Sequence, residues 1–122
     1  MNLLIDIDGT VSENIPPTEY YRYKNAKVKE NAVQSINRLY DEGYTITFFT
    51  TRKEKDRAVT QEWLTEKGFK YNGLIMNKPP GINYILIDNK DVHGITYKND
   101  WKVMIGEIYH KLKNTYLTYS RL

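Results

Sequence analysis

A chain of 122 residues, 40% apolar and 27% charged, has the size and composition of one packed domain and is too short for two ordinary ones. Its 18 Lys and Arg are interspersed with 15 Asp and Glu, so the net charge of +3 permits a nucleic-acid partner without demanding one. The absence of cysteine excludes disulfides, thiolate zinc sites and cysteine nucleophiles and suits a reducing compartment. No leader-like start or apolar run of membrane-spanning length is present, so a cytoplasmic protein with no membrane partner is expected.

Residues 2–7 are mainly apolar and not alternating, the pattern of a strand covered on both faces, with Asp6 where the run 3–5 ends. The loop "SENIPPTEYYRYKNAKVKE" (12–30) follows, where the proline pair disfavours helix and Tyr20, Tyr21, Tyr23, Arg22 and Lys24 offer stacking and anion-binding groups. Ala32, Val33, Ile36, Leu39 and Tyr40 recur at helical spacing, with Gly43 as the stop. "TITFFT" (45–50) predicts a second buried strand, residues 56–67 a second helix ended by Gly68, and "GLIM" (73–76) a short third strand. "YILID" (84–88) predicts a fourth strand, and Asp100 should cap a last helix carrying Trp101, Met104, Ile105, Ile108 and Leu112 inward. The tail 110–122 continues that helix or frays, with Leu112, Tyr116 and Tyr119 available for assembly of a homo-oligomer.

Strands alternating with helices imply parallel pairing through right-handed crossovers, hence a three-layer α/β/α sandwich with a mainly parallel sheet in one domain, 1–122. Ligands of such sheets bind beyond the carboxyl ends of the strands, and Asp6, Asp8, Thr50, Lys78 and Asp88 all fall at or just after expected strand ends. Two carboxylates held close repel unless a cation or proton resolves the conflict. The available ligands are all oxygens, which suits a hard divalent ion such as Mg2+, with Asp88 adding a further oxygen. Lys78 and Thr50 would then stabilise a phosphoryl group, and Gly9 lets the backbone approach its oxyanion closely. Carboxylate nucleophile, metal and cationic clamp together describe phosphoryl transfer through an aspartyl-phosphate.

At these residues the sequence resembles the haloacid dehalogenase (HAD) superfamily of phosphohydrolases, whose fold is Rossmann-like. The first signature, D-x-D-x-T, stands as Asp6-Ile7-Asp8-Gly9-Thr10, and the second, often T-G-R or T-A-R, as Thr50-Thr51-Arg52. The third-motif lysine corresponds to Lys78 in "IMNKP" and the acidic fourth motif to "YILIDNKDV", so the likeness runs from residue 2 to residue 92. It implies Asp6 as nucleophile and Asp8 as general acid and base. It also implies Mg2+ held by the Asp6 carboxylate, the Asp8 carbonyl and Asp88, and Thr50 and Lys78 on the phosphoryl oxygens.

The sequence departs from that pattern in two places. Asn89 stands where many relatives carry a second acid, leaving Asn89 or Asp91 for an outer role, and Thr51 replaces the usual Gly or Ala, leaving Thr50 or Thr51 to face the phosphate. Neither interval between motifs has room for a cap domain, so the chain resembles capless members, whose open sites draw selectivity from loops, a neighbouring subunit or a large substrate. The narrower likeness is to small capless proteins of surface-polysaccharide or sugar-phosphate metabolism. It implies a phosphorylated sugar as substrate and a homo-oligomer in which one subunit helps close another's site; from position alone, Arg52 is placed to contact a second anionic group, and Thr51 is a further candidate for the phosphate.

Three other functions compete, one of them a catalytically silent phosphoryl-binding protein, which the presence of both Asp6 and Asp8 disfavours. A nucleic-acid 3′-phosphatase fits the same chassis, and a receiver-like signalling module also gathers acids, a Thr and a Lys at strand ends, but takes its phosphorylated aspartate from a later strand. His93 and His110 join no carboxylate cluster and read as structural or surface residues.

Overall fold

The computed structural model describes the backbone of residues 1–120 and the side chains of residues 1–114, so the expectation for Tyr116 and Tyr119 lies outside the described side chains. The chain divides into two compact units, Met1–Pro80 and Gly81–Leu122, a division falling inside what the sequence reads as one domain.

The first unit is built on three strands, β1 (Asn2–Ile5), β2 (Thr45–Phe49) and β3 (Gly73–Ile75), paired in that order and all parallel. Ile5 lies opposite Phe48, and Phe48 opposite Leu74, so the three carboxyl ends come level along one rim. The crossovers are α1 (Ala32–Asp41) and α2 (Arg57–Glu66). Two right-handed crossovers stepping the same way place both helices on one face of the sheet.

Each element follows from its residues. α1 buries Ala32, Ser35, Ile36 and Leu39, the stripe at helical spacing, and the chain leaves the helix through Gly43 at φ 94°, a left-handed conformation that favours glycine. α2 buries Thr60, Trp63 and Leu64. Trp63 stacks on Phe69 at 5.7 Å between centroids, and Phe69 meets Phe48 edge-on at 5.5 Å, which ties helix to sheet through aromatic contacts. The Trp63 indole N–H donates to the Ala26 carbonyl at 2.9 Å, anchoring the loop that precedes α1.

That loop is more ordered than its prolines predict. Residues Pro17–Asn25 form 3-10 structure broken by a kink at Glu19 (φ −113°, ψ 37°), with Pro16 before it and Pro17 at its first position, where a missing N–H costs nothing. A second short 3-10 helix, Glu54–Asp56, leads into α2. Between β1 and β2 the described elements are the first 3-10 segment and α1, and between β2 and β3 the second 3-10 helix and α2.

The second unit contains α3 (Trp101–Ser120), which begins where expected. The Asp100 carboxylate accepts the Lys102 N–H at 2.9 Å and the Asp100 carbonyl accepts the Met104 N–H at 2.9 Å, the work of an N-cap. The fourth strand expected over 84–88 is a correction. Residues 83–88 have no regular structure and Ile85 and Ile87 are each 91% exposed. An apolar run becomes a strand only when it joins a ladder, and the described sheet is β1, β2 and β3 without it. Asp88 is therefore exposed and off any strand end.

Replacing Trp63 with Phe should remove the donor to the buried Ala26 carbonyl and cost about 1–3 kcal/mol, read as a lower urea midpoint at unchanged slope.

Candidate active site

Asp6 follows the last residue of β1, and the chain then folds back on itself in a tight turn. The carbonyl of Ile7 accepts the N–H groups of Thr10 (3.0 Å), Val11 (3.0 Å) and Ser12 (3.2 Å), while the Gly9 N–H donates to the Ser12 carbonyl at 3.0 Å. Gly9 sits at φ 83°, a conformation costly for a side chain, which explains glycine between the second Asp and the Thr. The turn brings the Thr10 hydroxyl onto Asp6 Oδ2 at 3.0 Å. Asp6 Oδ1 lies 3.6 Å from Lys78 Nζ, whose ammonium also lies 5.5 Å from the Phe49 ring centroid.

The ends of β2 and β3 are stitched together by the backbone. Thr50 N–H donates to the Ile75 carbonyl (2.9 Å), Lys78 N–H to the Thr50 carbonyl (2.9 Å) and Asn77 N–H to the Arg52 carbonyl (2.8 Å). Asn77 takes φ 60° to make this turn, a conformation Asn tolerates better than most side chains. This stitching delivers Lys78 to Asp6 from the strand two places away. Thr50 is buried at 1% exposure and its Oγ1 accepts the Arg52 N–H at 3.1 Å, while Thr51 is half-buried.

Asp8 points to a different partner. Arg52 Nε donates to Asp8 Oδ2 at 2.9 Å and Arg52 Nη2 to Asp8 Oδ1 at 2.7 Å, a two-pronged pairing across 44 residues. The Arg52 side chain has no exposed surface; Nη1 donates to the Thr60 hydroxyl at 3.1 Å, and the guanidinium carbon lies 3.8 Å from the Tyr23 ring centroid. The sequence placed Arg52 in reach of a second anion of the substrate. In the structure its buried guanidinium is committed instead to Asp8, Thr60 and Tyr23. Sequence reasoning missed this column, because Thr60 and Tyr23 stand in no motif with Arg52. The one available signal was an arginine two residues beyond the apolar run 45–50.

Burial holds the Tyr23 phenol above the usual tyrosine range; Asp8 adds to the shift and Arg52 opposes it.

The rim of the first unit thus assembles Asp6, Thr10 and Lys78, with Asp8 and Arg52 beside them. Asp88 belongs to the second unit, where its Oδ1 accepts the Lys90 N–H at 3.1 Å. Among the described residues no three His, Cys, Asp or Glu side chains gather as a metal cage. The donor chemistry nonetheless fits a hard divalent ion. Asp6 is 36% exposed, and no hydrogen bond among the described residues ends on the Asp8 carbonyl, which leaves two oxygens two residues apart on one turn.

Comparison with known proteins agrees on the fold. The family described as PITM 1-3, LNS2 domain, matches residues 3–117. No curated protein matches the sequence significantly. Among solved structures, a conserved protein from Bacteroides thetaiotaomicron is 23% identical with a TM-score of 0.60, covering 91% of each chain. A structural-genomics target from Vibrio cholerae is 20% identical with a TM-score of 0.54, over 75% of this chain and 81% of that one. A chain of the Pnkp1/Rnl/Hen1 complex is 20% identical with a TM-score of 0.59, but the match spans 67% of this chain and only 30% of that one. No described helix is long and apolar enough to cross a membrane.

Substituting Arg52 with Met should strand the Asp8 carboxylate and lower stability by about 3–5 kcal/mol in chemical unfolding, whereas Arg52→Lys, which keeps charge without the fork, should lose less. Because the folded state favours the neutral Tyr23 phenol, its contribution is complete below the ordinary tyrosine value of about 10 and is lost as pH rises through the raised value. Tyr23→Phe should accordingly delete a late component of the tyrosinate absorbance titration.

Proposed function

The chain belongs to the PITM 1-3 LNS2 domain family, whose fold is HAD-like, and on that premise we propose that it is a phosphomonoester hydrolase working through an aspartyl-phosphate. The observation that carries this reading is the Asp6 carboxylate at the end of β1, bracketed by the Thr10 hydroxyl on Oδ2 and the Lys78 ammonium beside Oδ1. Thr10 fixes the carboxylate rotation, so the oxygen presented for attack is Oδ1. Lys78 offsets the repulsion between that oxygen and an incoming phosphate dianion.

In the proposed first step an Asp6 oxygen forms a bond to phosphorus as the ester oxygen leaves, taking a proton from the Asp8 carboxyl group. In the second, Asp8 removes a proton from water, whose oxygen bonds to phosphorus and releases Asp6 and inorganic phosphate. Arg52 sets the direction in which Asp8 points. Thr50, Thr51 and the backbone after Gly9 are the proposed contacts for the phosphoryl oxygens, with the Thr50 hydroxyl close to the Arg52 N–H it caps.

Mg2+ is the proposed cofactor, and when bound it neutralises charge on the phosphoryl oxygens. Asp6, the Asp8 carbonyl and Asp88 are proposed to hold it, the last on motif order alone. The substrate proposed is a phosphorylated sugar or similar small metabolite. The tyrosine-bearing 3-10 segment packed against α2 supports that reading.

Asp6→Asn should abolish turnover of an aryl phosphate, by at least about a thousandfold, while leaving the unfolding midpoint near that of the parent protein. Full turnover in that variant would remove the nucleophile. A chelator should silence the parent protein and added Mg2+ restore it, with Asp88→Asn raising the Mg2+ concentration required. Hydrolysis confined to 3′-phosphorylated oligonucleotides would replace the sugar reading.

A further inference from the structure

Two tyrosine rings stand out of the first unit side by side. Tyr20 is 53% and Tyr21 67% exposed, and their rings meet edge to face at 6.2 Å. They are not on a loose loop. The 3-10 helix that carries them is clamped by Arg22, which donates to Glu19 at 2.9 Å and to Glu13 at 2.7 Å, and Glu13 also accepts the Lys27 N–H at 2.8 Å. Large exposed rings on an ordered backbone lose less conformational freedom on binding than rings on a loose loop.

Their place relative to the chemistry follows from the buried column. Asp8 is forked by Arg52, and Arg52 lies under the Tyr23 ring at 3.8 Å. Tyr20 stands three residues before Tyr23, one 3-10 turn, just past the kink at Glu19. The segment that supplies Arg52 continues to Lys55, an exposed residue whose ammonium sits 4.9 Å from the Tyr20 ring centroid. An aromatic face and an ammonium are thereby set together on the two segments that also supply Tyr23 and Arg52 to the Asp8 column.

We infer that Tyr20, Tyr21 and Lys55 form a leaving-group subsite for a ring-bearing phosphate ester that carries a second anionic group. The ring face lies against tyrosine and the second anion meets Lys55. The inference rests on the phosphoryl-transfer reading of Asp6 and Asp8 for its orientation, but the subsite itself is a binding claim. A hexose bisphosphate and a nucleoside bisphosphate share this chemistry, and the test separates them.

Calorimetric titration of the full chain in chelator, which prevents turnover, compares these two compounds with inorganic phosphate. At least one bisphosphate should bind about tenfold or more tightly than phosphate, and the tighter of the two names the source of the ring. Tyr20→Ala and Lys55→Gln should each erase most of that advantage. Lys55→Gln is an exposed substitution that keeps the test decisive if Tyr20→Ala unfolds. Equal affinity for phosphate and both bisphosphates, or an advantage untouched by both substitutions, overturns the subsite. Ring-dependent binding without hydrolysis of any phosphate ester would uphold the subsite and defeat the phosphatase reading; hydrolysis indifferent to Tyr20 and Lys55 would do the reverse.

Discussion

A guanidinium with no exposed surface must find all its partners inside the protein, and in this chain Arg52 finds them on three different segments. Its fork takes both oxygens of Asp8, its remaining nitrogen takes the hydroxyl of Thr60, and its flat face takes the ring of Tyr23. Strand end, first-motif turn, second crossover helix and 3-10 helix are therefore held to one another by a single planar cation. An ammonium could not do this. Lysine offers a point charge and no plane, so it could neither fork the carboxylate nor stack on the ring. Removing one charge of so buried a pair leaves the other uncompensated, which makes the column a constraint on the whole first unit.

The same column separates the two aspartates electrostatically. Asp6 turns toward Lys78 and Thr10, and Asp8 turns toward Arg52, so each carboxylate has its own cation and the repulsion implied by their spacing is relieved by protein groups. The turn around the Ile7 carbonyl makes this divergence geometric, because the residue between them is fully buried and forces its neighbours outward in different directions. A metal held by the Asp6 carboxylate and the Asp8 backbone oxygen would not disturb the fork.

Much of this was legible in the sequence because it rests on local signals. Asp100 reads as an N-cap and acts as one, Gly43 and Gly68 follow the helices they were expected to end, and the apolar runs at 45–50 and 73–76 become β2 and β3 within a residue or two. The first-motif aspartates read as strand-end residues because an apolar run cannot continue through them. What escaped depends on contacts between distant segments. Nothing in residues 12–30 announces that Tyr23 will cover Arg52, since the proline pair suggests a loop and the tyrosines look alike until one is buried and two are not. The run 84–88 failed in the opposite way: its composition is that of a strand, but a ladder needs a partner, and composition does not supply one.

The two tryptophans divide evenly between the units, Trp63 in the first and Trp101 in the second, with 1% and 3% of their surface exposed. Indole emission shifts to longer wavelength as water reaches the ring, so each unit carries a single built-in optical reporter of its own interior. Replacing either tryptophan in turn would leave a chain whose fluorescence follows one unit alone, and whether the two melt together becomes a question of spectroscopy rather than inference.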